Sequence, residues 1–273
     1  MFLSEYCKNI KLLIINQCSD NSGLAQLILR QESLKSIEFK SFYSSIKKFN
    51  LLSEVLISNS TLTSICFEEN ICLNEKCMQI LCSGFIKEFK LKFSTFNSIF
   101  GFEMVSRLNF FQLEIIDIFL NIQYDISYLL KNLIKRTKGK LKKINWNELY
   151  FDANDFISLL EYIQCITTYC PNMEFLSIWY INNNSFLQSF KLLLISCKKL
   201  KEIKIQLTSY EDSSYIQEIL EIVLEYSEAL KVYIYRTEYY NCEFTRKLFK
   251  KDDKSLIYYC INLDIENEIY GYI

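Results

Sequence analysis

The chain has 273 residues, half of them apolar, with 31 Lys plus Arg against 32 Asp plus Glu and no histidine. That size and apolar content suffice for a large buried core and exclude disorder, while near-neutral, evenly spread charge argues against nucleic acid as a partner. The lack of histidine removes the commonest general base and most catalytic zinc sites, and no apolar run nears the roughly 20 residues that span a bilayer.

The segment MFLSEYCKNIK also lacks the parts of a signal peptide. The expected location is therefore cytoplasmic or nuclear, with no membrane partner. Eleven cysteines, an odd number in a long chain, read as reduced thiols rather than a disulfide framework.

Taken in chain order, strands are predicted wherever the pattern apolar-x-x-apolar-x-apolar occurs. It is met at Ile10/Leu13/Ile15, Leu34/Ile37/Phe39, Leu62/Ile65/Phe67, Ile86/Phe89/Leu91 and Leu113/Ile116/Ile118. It continues at Leu141/Ile144/Trp146, Met173/Leu176/Ile178 and Leu200/Ile203/Ile205, with a ninth, less regular copy from Leu230. The copies recur about every 27 residues, within the range of short strand-and-helix repeats.

Between them the apolar spacing becomes helical. Ile126, Leu129, Leu130, Leu133 and Ile134 share one helix face, as do Phe156, Leu159, Leu160 and Ile163, and Ile216, Ile219, Leu220, Val223 and Leu224. Ser185 with Gln188, and Ser214 with Gln217, have capping-box spacing and predict helix starts there. The strand-like alternation of residues 256–273 is expected to close the last unit, and KLFKKDDK at residues 247–254 is expected to be an exposed loop.

One short strand and one helix cannot cover each other's apolar face alone, so such units must stack. A doubly wound sheet alternates strand and helix too. The recurring apolar residue three positions before each strand pair favours the solenoid. The expected fold is an α/β leucine-rich-repeat-like solenoid, or horseshoe, of about nine irregular repeats. Parallel strands would lie on its concave side and helices on its convex side, with residues 1–273 forming a single domain.

Catalytic and ligand-binding patterns are weak. Cys66, Cys72, Cys77 and Cys82 lack the paired C-x2-C geometry of structural zinc, so Cys66 reads as a strand residue and Cys77 and Cys82 as helix residues. The few glycines form no phosphate-cradling loop, and the pairs Glu68/Glu69 and Asp252/Asp253 read as solvated surface. The chain is expected to be no enzyme, with no metal and no cofactor.

The segment Cys170-Pro171-Asn172-Met173-Glu174-Phe175-Leu176-Ser177-Ile178 resembles the cysteine-containing leucine-rich repeats of F-box proteins. Cys197-Lys198-Lys199-Leu200 and Cys7-Lys8-Asn9-Ile10 follow the same spacing, whereas other units place Gln31, Asn59, Ser83, Lys138 or Ser227 where the cysteine stands. The resemblance implies a protein target on the concave face and, through an F-box, components of an SCF ubiquitin ligase. No Leu-Pro-rich F-box opening occurs and the first unit starts near Cys7. The expectation is a chain lacking an N-terminal cap or F-box, with the F-box missing or separate. The alternative is a leucine-rich-repeat regulator of a small GTPase.

Strand alternation assigns the binding face. It comprises Ser36, Glu38 and Lys40; Ser64, Cys66 and Glu68; Glu88, Lys90 and Lys92; Ile115, Asp117 and Phe119; Lys143, Asn145 and Asn147; Phe175, Ser177 and Trp179; and Glu202, Lys204 and Gln206. Phe119, Phe175 and Trp179 are the expected aromatic anchors. The equivalent residues of the first strand, Leu12 and Ile14, are apolar and suggest a covered end.

Overall fold

The computed structural model describes residues 7–16, 21–40, 50–68, 79–82, 85–93, 110–120, 126–148, 156–207, 213–226, 230–238, 244–251 and 254–264. The chain divides into two compact units, Met1–Tyr124 with Asn132–Leu141, and Asp125–Lys131 with Lys142–Ile273. Both are α/β and built on parallel strands.

The first unit contains β1 (Leu12–Asn16), α1 (Ser22–Leu29), β2 (Ser36–Lys40), α2 (Asn50–Ser58), β3 (Ser64–Glu68), β4 (Glu88–Phe93) and β5 (Ile115–Leu120). Each strand pairs in parallel with the next in the chain. Leu13, Ile37, Ile65, Phe89 and Ile116 therefore fall in one row, and Ile15, Phe39, Phe67, Leu91 and Ile118 in a second. These are the second and third apolar residues of each sequence pattern, and from β2 to β5 all are buried. Phe39 stacks on Phe67 with ring centres 5.5 Å apart, and Phe67 meets Phe89 edge-on at 6.4 Å.

The first apolar residues, Leu34, Leu62, Ile86 and Leu113, are buried beside the strand starts. There the carbonyls of Lys11, Lys35, Thr63 and Lys87 each accept two backbone N–H groups from the following strand. This shared backbone junction keeps the register constant from strand to strand. Helix α1 buries Ala25 and Ile28, and α2 buries Leu52, Val55 and Leu56. Covering side chains of the larger kind is worth about 1.5–3 kcal/mol each.

The second unit takes in the first half of α3 (Ile126–Arg136), then β6 (Lys143–Glu148), α4 (Phe156–Tyr169), β7 (Phe175–Trp179), α5 (Asn184–Ser196), β8 (Glu202–Leu207) and α6 (Ser213–Tyr226). It ends with β9 (Lys231–Glu238), β10 (Phe244–Lys251) and β11 (Lys254–Asp264). Strands β6 to β9 are parallel neighbours, β11 runs parallel to β9, and β10 pairs antiparallel with β11 on the outside. Residues 247–251 are thus part of a strand, not the expected loop. The run pairs antiparallel with β11 from Phe244/Ile261 to Lys251/Lys254.

Leu176, Ile203 and Val232 align in one core row, with Ile178, Ile205 and Ile234 in the next. In the ninth copy Val232 stands two residues after Leu230 rather than three, which explains its irregular look in sequence. Among the described residues, strands β6 and β7 pair at Lys143/Phe175 and Ile144/Leu176. Beyond that point side chains take over the backbone groups. The Tyr162 hydroxyl donates to the Ser177 carbonyl at 3.1 Å, and the Gln206 amide donates to the Trp146 carbonyl.

Buried Cys170 and Cys197 occupy the turns before β7 and β8, and the Cys197 thiol donates to the Cys170 carbonyl at 3.5 Å. Polar residues do the same work elsewhere. The Gln31 amide donates to the carbonyls of Cys7 and Leu27 and accepts from the Ile10 N–H at 3.0 Å. The Asn59 oxygen accepts from the N–H groups of Thr61 and Leu62. Before β6 it is Thr137, not Lys138, that turns inward. Thr137 is buried and donates to the Ile134 carbonyl at 2.8 Å. The left-handed pair Lys138 (φ 51) and Gly139 (φ 78) adds a residue to this turn and points Lys138 outward over the Phe111 ring.

Candidate functional site

Opposite the apolar core, each sheet presents the residues that alternate with it. In the first unit the backbone register sets them in three rows: Leu12, Ser36, Ser64, Glu88 and Ile115; Ile14, Glu38, Cys66, Lys90 and Asp117; Asn16, Lys40, Glu68, Lys92 and Phe119. Glu88, Lys90, Asp117 and Phe119 are half-buried and Lys92 is exposed. Leu12 and Ile14 are both about half exposed.

Neighbouring charges on this face pair with one another. Lys40 lies 3.4 Å from Glu68 and Lys90 3.1 Å from Glu88, while the Ser64 hydroxyl donates to Glu88 at 2.7 Å. The charge of Glu68 raises the Lys40 ammonium above its ordinary range. Burial works against the charged form of Lys90, but its hydrogen bond to Glu88 and the charges of Glu88 and Asp117 outweigh it and raise the group. Cys66 sits among these charges yet is covered, and burial pushes its thiol up to about 11. It is a protonated, unreactive thiol at neutral pH.

In the second unit the face differs along the strands. Its first row, Lys143, Phe175, Glu202 and Lys231, remains accessible. Lys143 stands 5.0 Å from the centre of the Phe175 ring, and Lys231 pairs with Glu202 at 3.3 Å. Asn145 is half-buried and accepts from the Ser177 hydroxyl at 3.4 Å.

Farther along, four expected surface residues are inside. Trp179 is 1% exposed and Lys204 6%, and Ser177 and Gln206 are buried with them. The Lys204 ammonium lies 4.0 Å over the Tyr235 ring, an attraction that offsets part of its desolvation. The strict alternation expected of a half-exposed strand therefore fails for β7 and β8, which are packed on both faces. For β7 a sequence signal existed in the unbroken apolar run Ile178-Trp179-Tyr180-Ile181, since a strand covered on both sides reads as continuous rather than alternating. The Asn147 side chain lies outside the described residues.

Among the described residues no group of three or more cysteines and carboxylates is placed to hold a metal ion, and no helix is long and apolar enough to cross a membrane. Of the cysteine cluster, Cys66 lies in β3 and Cys82 follows the short helical turn 79–81, while Cys72 and Cys77 lie outside the described residues. No protein-family model and no curated protein sequence matches the chain. The candidate face therefore rests on the chemistry of its own residues.

Proposed function

We propose that the chain is a non-enzymatic protein-recognition module made of leucine-rich-repeat-like units, strands on the concave side and helices on the convex side. A target protein is held on the polar face of the strands. The observation that carries this reading is the set of in-register rows in the first unit, where charged and polar side chains from neighbouring strands share one face with the half-buried Phe119. Contacts spread over several strands suit another protein's surface better than a small molecule, which needs an enclosing cavity.

The Cys170-Pro171-Asn172 turn and the buried Cys197 support the likeness to the substrate-binding part of F-box proteins. On that reading the module works in the cytoplasm or nucleus and delivers its target to an SCF-type ubiquitin ligase through an F-box on another segment or chain.

Affinity purification with mass spectrometry tests this, using the wild type beside a triple variant, Lys92→Glu, Phe119→Ala and Phe175→Ala. A protein target recovered with ligase adaptors, and lost from the variant, is the expected result. Recovery of a small GTPase instead would overturn the ligase assignment, and identical recovery by the variant would overturn the face.

A further inference from the structure

We draw no further inference here: the strongest candidate, a groove of about 330 Å3 between the C-terminal ends of α5 and α6 lined by Leu194, Cys197, Lys198, Leu200, Tyr226 and Leu230, carries nothing because no observation in the structure shows what would cover it.

Discussion

Trp179 and Phe175 lie in the same strand, and the structure assigns them different roles. Phe175 remains half-buried beside Lys143, whereas Trp179 is enclosed. Truncating a buried Trp removes its transfer free energy and leaves a cavity, together worth about 3–5 kcal/mol. Trp179→Ala is thus expected to lower the urea midpoint sharply, while Phe175→Ala costs about 1 kcal/mol of stability or less. Equal, small effects would show that Trp179 is not enclosed. The buried thiols give a second residue-level expectation. Burial pushes Cys170 up to about 12 and Cys66 and Cys197 up to about 11, from 9.0. Below pH 9 these thiols are protonated in both folded and unfolded chains and contribute no pH dependence. Between pH 9 and 11 the unfolded chain releases protons that the folded chain keeps, so stability must fall as pH rises. Denaturation midpoints measured from pH 8 to 10.5 should therefore decline, and replacing Cys170 and Cys197 with alanine should make that decline shallower; an unchanged slope would count against the buried, protonated state.

Among the elements, the helix starts separate what the sequence shows from what it hides. Ser185 has the spacing of a cap, but α5 begins at Asn184. The capping residue is Asn183, whose side chain accepts from the Ser185 N–H at 2.7 Å. Asn183→Ala should cost about 1 kcal/mol and Ser185→Ala clearly less, read from thermal unfolding of the two variants; the reverse order would restore Ser185 as the cap. The strands were far more legible. Their apolar pairs recur at a fixed offset from a buried anchor, so alternation alone predicts which residues align, as Ile37, Ile65, Phe89 and Ile116 do. Two kinds of feature escaped it. One depends on a single residue of length, as where the Lys138-Gly139 turn moves Thr137 into the buried position or where Val232 comes one residue early. The other is burial on the second face of a strand, which the run Ile178-Trp179-Tyr180-Ile181 signals for Trp179 but which the alternating residues of β8 do not signal for Lys204.

Under the proposed recognition function, the order in which side chains matter follows from how they are already engaged. On the face of the first unit, Lys40 is paired with Glu68, and Lys90 with Glu88. A partner that draws on these groups must first replace contacts the free protein already makes, and partly exposed ion pairs return about 0–1 kcal/mol. Phe119 stands in the row of Lys40 and Glu68, directly opposite Lys92, and is half-buried. Covering that ring is favourable without breaking anything, which is the usual character of an interface anchor. Against the purified target, Phe119→Ala is therefore expected to weaken binding by about tenfold or more, equivalent to about 1.4 kcal/mol, and Lys40→Ala by about threefold or less. Both variants should unfold within about 1 kcal/mol of the wild type, so that a change in affinity reports on the face rather than on the core. Biolayer interferometry at two salt concentrations distinguishes the contributions. A Lys40→Ala effect larger than that of Phe119→Ala, and abolished by high salt, would mean that the target is held by charge, and the aromatic anchor would have to be abandoned.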